Sequence, residues 1–263
     1  MGKEFSDTGE YIYKYKNCLN IPPLGFVDDV AGASKCGQNS MVLNIKTEEF
    51  MKSKKLTLNE DKCYIMHIGK TDHDIDLTIN DKSMVHVKHE KYLGQYLSSD
   101  GKNDKNIENI CNKGVSQSNQ VNAILSEFSL GRHYFQMGLL LRNTNVINGM
   151  LFSAESWYGV SKEQIEQIEN VDIDFMKKLL KAHPNTAKEA FYLETGKIPI
   201  KFLIIQRQLM FLKHILSIDK SRLLSKFYSI QKAVPVKNDW TLQVEKDKTD
   251  IGLSISELEI AAL

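Results

Sequence analysis

Two adjacent carboxylates, Asp28 and Asp29, stand between two apolar runs in the stretch Ile21-Pro22-Pro23-Leu24-Gly25-Phe26-Val27-Asp28-Asp29-Val30-Ala31-Gly32-Ala33. Short apolar runs around a polar break predict a β-hairpin. Successive side chains on a strand point to opposite faces, so two Asp on a straight strand would diverge. At a hairpin tip the backbone turns, and both can face solvent or one cation. Carboxylate oxygens are hard ligands that suit Mg²⁺ or Mn²⁺, ions that usually keep waters for a phosphate substrate. Asp is also common in ordinary polar turns, and the dipeptide alone does not separate the two readings.

The context adds to the pair. Phe26-Val27-Asp28-Asp29 resembles the Phe/Tyr-x-Asp-Asp motif of reverse transcriptases, whose hairpin lies in the palm beside the primer end. Leu56-Thr57-Leu58-Asn59-Glu60-Asp61-Lys62-Cys63 looks like the segment after the palm helix of these enzymes. Lys91-Tyr92-Leu93-Gly94 looks like their primer-grip hairpin, and Ser98-Ser99-Asp100-Gly101 like the turn into the thumb. Glu194-Thr195-Gly196-Lys197-Ile198-Pro199-Ile200, with Gln206-Arg207-Gln208 after it, is similar to their helical connector. Taken in order, these stretches most resemble the reverse transcriptases of retrotransposons lacking long terminal repeats. The resemblance is specific over about the first half of the chain and looser beyond it.

That resemblance implies an RNA-directed DNA polymerase performing two-metal nucleotidyl transfer, with Mg²⁺ or Mn²⁺ as cofactor and an RNA template and DNA primer as partners. Asp28 and Asp29 would be the catalytic, metal-binding pair. Lys62 would sit near the incoming triphosphate, where a Lys serves as a point charge. Tyr92 and Gly94 would set the primer strand against the hairpin. Plainer readings stand beside these roles: Lys62 as a surface lysine, Gly94 as the residue that permits a tight turn. The family also uses a third carboxylate from an earlier strand. Glu4, Asp7 and Glu10 are the acids before the hairpin, and none lies in an apolar strand context. The expectation is a fragment covering the C-terminal part of the palm, the thumb and the connector, inactive alone. The alternative is a non-catalytic RNA- or protein-binding helical module derived from a mobile element.

The elements that would position these residues form an α+β pattern, a small antiparallel palm remnant followed by an all-α bundle. Tyr11-Ile12-Tyr13-Lys14-Tyr15-Lys16 alternates with the period of a strand, and Asn17 can turn it back. Gly37-Gln38-Asn39-Ser40 reads as a break before a helix over 41–54, with Met41, Ile45, Phe50 and Met51 as its apolar face. Short strands follow around Ile65, at 76–79, 84–88 and 91–97, with Asn80-Asp81 as a hairpin turn. One antiparallel sheet is expected to hold the Asp hairpin and the strands around Ile65 and Tyr92.

After Gly101 the period changes to 3.6. A long helix is predicted over 103–128, weaker or broken helices between Arg132 and Ala154, marked by Gly131, Gly138 and Gly149, and a helix starting at Ser161, a Ser cap with a nearby acid, and ending at His183-Pro184. Further helices are predicted over 186–194, 199–218 and 221–232. The strongly apolar stretch Phe202–Ile215 reads as the centre of a bundle. Residues 235–250 read as polar chain with Trp240 as anchor, and 255–263 as the start of a helix. The domains expected are a partial palm (1–101), thumb-like helices (102–160) and a helical connector (161–263).

Bulk properties set limits. Hydrophobic residues at 42% and charged residues at 25% are those of a globular protein with ample core. Lys and Arg total 34 against 33 Asp and Glu, a net charge of +1, so any nucleic-acid surface must be a local patch. Lys177, Lys178 and Lys181 offer one such patch, although Lys near a helix C-terminus also suits the dipole alone. Cys18, Cys36, Cys63 and Cys111 lack the close pairing of zinc sites, which points to reduced thiols in an intracellular chain. His67, His73, His86 and His89 cluster in sequence on different strands, either as a metal site or as scattered surface histidines. No apolar run is long enough to span a membrane, so no membrane partner is expected.

Overall fold

The computed structural model describes residues 13–15, 19–21, 23–26, 29–34, 37–69, 76–235, 239–250 and 252. Asp28, the three N-terminal acids, His73 and the stretch 255–263 lie outside them. The chain is α+β and divides into two compact units, Met1–Lys102 and Asn103–Leu263.

Among its described residues the first unit has very short strands and one α-helix. β1 (Tyr13–Tyr15) pairs antiparallel with β2 (Leu19–Ile21), and β3 (Leu24–Phe26) with β4 (Asp29–Ala31). Helix α1 spans Gly37–Ser53, so Gly37 to Ser40 form its first turn rather than a break. Small and polar residues of this kind serve a helix start as readily as a loop. Met51 is buried, but Met41 and Ile45 are about half exposed, so the apolar face is narrower than its spacing suggests.

A 3₁₀ turn, Glu60–Lys62, precedes β5 (Tyr64–Ile65), with Asn59 capping it through Oδ1, which accepts from the Asp61 amide at 3.1 Å. β6 (Thr78–Ile79) and β7 (Lys82–Ser83) form a hairpin whose tip is Asn80-Asp81. Both tip residues have positive φ, 48° and 65°, as a type I′ turn requires. β9 (His89–Tyr92) and β10 (Gln95–Ser98) form a second tight hairpin, with Leu93 at φ 47° and Gly94 at φ 84°. The Lys91–Leu97 stretch is therefore a turn between two strands and not one strand.

A single antiparallel sheet does not form among the described residues. The strands make five separate two-stranded ladders. One is parallel: β5 pairs with β8 (Val85–His86), the β6–β7 hairpin serving as the connection that a parallel pair needs. Val87 N–H bonds to Ile65 O at 2.9 Å, extending this parallel ladder, and Gly69 N–H, after β5, bonds to Ser99 O, after β10, at 3.1 Å.

The second unit is helical throughout its described residues. α2 spans Asp104–Leu125 and buries Ile107, Ile110, Gly114, Ser118, Val121 and Leu125, a 3- and 4-residue spacing. α3 (Arg132–Leu141) runs through a π-helical turn, Arg142–Ile147, into α4 (Asn148–Met150). Gly138 does not break this run. It faces Leu179, where any Cβ would fall 2.2 Å from a Leu179 methyl.

α5 (Lys162–Leu179) begins with a capping box. Gln164 N–H donates to Ser161 Oγ at 3.2 Å, and Ser161 N–H to Gln164 Oε1 at 3.0 Å. The reciprocal partner is thus an amide; the acid beside it, Glu163, has its carboxyl held low by a hydrogen bond from Ser161 and by the local backbone. The helix ends before His183-Pro184, with Lys181 at φ 52°. α6 spans Lys188–Thr195 and stops at Gly196, φ 63°. α7 is Ile200–Ser217, α8 Leu223–Ala233 and α9 Trp240–Asp250. The stretch read as polar chain after Pro235 therefore contains a helix, anchored by Trp240 as expected.

One apolar core joins α2 to α6 and the start of α7, running across residue 160 without a division. A second core holds Leu209, Leu212 and Ile215 of α7 with Tyr228 and Trp240. α7 is apolar over so much of its surface because its two halves serve different cores. Phe202 and Met210, at 49% and 65% exposed, lie off both. Between α4 and α5 the chain makes only a short 3₁₀ turn, Ala154–Ser156, and side chains from later helices reach carbonyls in and beside it. Arg207 Nη1 reaches Leu151 O at 2.8 Å, Gln208 Nε2 reaches Trp157 O at 2.8 Å, and Trp240 Nε1 reaches Glu155 O at 2.8 Å. No helix among the described residues is long and apolar enough to cross a membrane.

Candidate functional site

Asp29 is the first residue of β4, opposite Phe26 of β3, and is exposed. Its position follows from the apolar residues on either side, which form the paired strands and leave the acid at the end of the ladder. Its carboxylate acts on Tyr92, the last residue of β9. The Tyr92 hydroxyl donates to Leu24 O of β3 at 3.5 Å. Partial burial pushes the Tyr92 phenol up, and the nearby Asp29 carboxylate pushes it further. Thus the Phe-x-Asp-Asp-like hairpin and the Lys-Tyr-Leu-Gly hairpin, more than sixty residues apart in sequence, meet through Tyr92.

Gly94 lies at the exposed tip of the second hairpin, two residues from Tyr92, where positive φ favours glycine. Lys62 closes the 3₁₀ turn before β5 and is exposed. Its neighbours Glu60 and Asp61 are engaged elsewhere: Asn80 Nδ2 donates to Glu60 at 3.1 Å, and Lys82 pairs with Asp61 at 2.6 Å. That ion pair holds the Asp61 carboxyl below its ordinary range. The turn is therefore fastened to the β6–β7 hairpin, and no hydrogen bond or ion pair ties Lys62 to Asp29 or Tyr92.

No group of three or more His, Cys, Asp or Glu side chains that could hold a metal comes together among the described residues. A divalent cation at the hairpin would draw on the Asp28–Asp29 pair for protein ligands. Two carboxylates fit a hard cation in kind but not in number, because two-metal transfer clamps both attacking and leaving oxygens. Cys63 and Cys111 are free and half-buried, with burial pushing both thiols up.

The basic group at the end of α5 is partly spoken for. Lys177 is half-buried and pairs with Asp174 at 3.8 Å, while Lys178 and Lys181 are exposed. One pairing has no counterpart in the sequence analysis, and another joins two of the histidines that cluster in it. Arg142, on the π turn, meets Asp172 of α5 in the core, and His67 meets His86 across the parallel β5–β8 ladder. A signal for the first was present. Asp172 lies four residues after Ile168 and four before Met176, both fully buried, so it occupies the inward face of α5. No protein-family model, curated protein or solved structure matches the chain.

Proposed function

We propose that the chain is part of a reverse transcriptase of a retrotransposon lacking long terminal repeats: the end of the palm, the thumb and the connector. In this reading Asp28 and Asp29 are the metal-binding pair, with Mg²⁺ or Mn²⁺, and Tyr92 and Gly94 approach the primer strand. Lys62 approaches the nucleotide, and RNA template and DNA primer are the partners. The observation that carries the reading is the Tyr92 hydroxyl on the carbonyl of Leu24, in the strand paired with Asp29–Ala31. It joins the two motif-like hairpins whose roles, in such an enzyme, require them to be neighbours. The two carboxylates alone leave the two-metal clamp short of ligands, so the 263-residue chain binds primer–template without extending it.

Two measurements on the purified chain test this. Fluorescence anisotropy with an RNA–DNA primer–template should show binding that weakens steeply with salt, as counterion release demands. Tyr92→Ala should weaken it, and primer extension with Mg²⁺ or Mn²⁺ should stay at background. Extension abolished by Asp28→Ala would overturn the inactive reading. Absence of any salt-sensitive binding would overturn the assignment. A second reading, a non-catalytic helical module that binds RNA or protein, draws on the helical unit's own two apolar cores. It requires that binding survive Tyr92→Ala unchanged and depend on Lys178 and Lys181.

A further inference from the structure

The parallel β5–β8 ladder brings two histidines together. Ile65 is in register with His86, and His67 follows Ile65 by two residues. His67 thus lies two residues past the end of β5, and its ring meets that of His86 beside the ladder. The His67 Nε2 and His86 Nδ1 atoms are 3.1 Å apart. The rings are nearly parallel, with planes 7° apart and centroids 5.0 Å apart. One ring donates its N–H and the other accepts, so a single hydrogen is shared between two imidazole nitrogens. His86 is exposed and His67 half-buried, which leaves the pair open on one side. The neighbouring histidine, His89, is engaged elsewhere, its Nδ1 lying 3.0 Å from Ser98 Oγ.

We propose that His67 and His86 form a two-histidine site for a divalent transition-metal ion, copper(II) above all. Imidazole nitrogens bind such ions at about 2.0–2.1 Å, which sets cis nitrogens about 2.9–3.4 Å apart between square-planar and tetrahedral geometry. The observed separation falls in that interval. The ion takes the place of the shared hydrogen: the donor ring shifts its single N–H proton to its other nitrogen by exchange through solvent, with no net loss of a proton, and both rings turn so that their lone pairs converge. Waters fill the remaining positions on the open side. Copper(II) heads the order of divalent affinities for nitrogen sites, whereas Mg²⁺ prefers oxygen and does not compete. The site is thus distinct in chemistry and in residues from the Asp28–Asp29 pair.

The test is titration of the full chain with Cu²⁺, followed by electron paramagnetic resonance and by calorimetry. The tightest site should show two imidazole nitrogens on one copper. His67→Gln and His86→Gln should each weaken that site at least about tenfold, while His89→Gln and excess Mg²⁺ leave it unchanged. The nitrogen count is read on the unmodified chain and does not depend on how a variant folds. A tightest site with one nitrogen, or one retained at undiminished affinity in the His67→Gln/His86→Gln double variant, would overturn the proposal.

Discussion

Arg142 and Asp172 are locked side by side in the helical core. Arg142 Nε donates to Asp172 Oδ1 at 2.7 Å and Nη2 to Oδ2 at 2.6 Å, with the side chains 1% and 0% exposed. Arg142 Nη1 also donates to Asn143 Oδ1 at 2.9 Å. Burial pushes the Asp172 carboxyl up, and the guanidinium opposes it. The planar guanidinium fork matches both carboxylate oxygens.

Removing one partner strands the other charge. Arg142→Met should cost about 3–5 kcal/mol, the range for breaking a buried pair. The double variant Arg142→Met/Asp172→Leu should recover most of that loss, since an apolar pair of similar volume needs no compensation. Urea melts followed by far-ultraviolet circular dichroism check this; a double variant no more stable than the single one would contradict it.

Next to this pair, the Tyr192 hydroxyl donates to Glu169 Oε1 at 3.1 Å, and Lys188 pairs with Glu169 at 2.9 Å. Burial pushes the Tyr192 phenol far above the ordinary tyrosine range, helped by the carboxylates of Asp172 and Glu169. In the unfolded chain the same phenol ionises near its ordinary value, about 10. Above that pH the unfolded state binds fewer protons than the folded one, so stability falls as pH rises. Alkaline absorbance titration should show a tyrosine that ionises only on unfolding, and Tyr192→Phe should remove that step.

Gly138→Ala tests the approach of α3 to α5. Alanine is the better helix former by about 0.8–1.0 kcal/mol. Here its methyl would meet fully buried Leu179, which cannot swing away. The variant should lose about 1–3 kcal/mol, the usual cost of overpacking, and denaturant melts read the sign directly.

Leu212 is 1% exposed in the second core, beside Tyr228 and Trp240. Leu212→Ala should cost about 2–5 kcal/mol. Met210→Ala, on the exposed face of the same helix, should change stability by less than about 0.5 kcal/mol. Equal losses at the two positions would mean that α7 is not packed as described.

The local elements were legible because their signals are local. The Ser161 start, the stop at Gly196 and the Asn80-Asp81 turn are each set by a few adjacent residues and their φ preferences. The α2 face was legible for the same kind of reason, a repeat held over six turns. Strand content was harder. Ladders of two to four residues carry almost no period, so 91–97 reads as one strand by period alone, although the Lys91–Gly94 motif and Gly94 itself point to the turn that is there. The helix at Trp240–Asp250 was hidden by its polarity, since only one face of it is packed.

By itself, then, the sequence determined the α+β order, the change to helix near Gly101, the caps and tight turns, and the pairing of apolar runs around Asp28-Asp29. These depend on near neighbours in the chain and on the fixed periods of helix and strand. Only the tertiary structure decided that Tyr92 bonds Leu24 in the strand paired with Asp29–Ala31, that His67 shares a hydrogen with His86, and that Asp172 faces Arg142. It also decided that α7 divides between two cores. Each of these contacts joins residues whose separation obeys no period, and each exists because burying apolar faces elsewhere brought the two positions together.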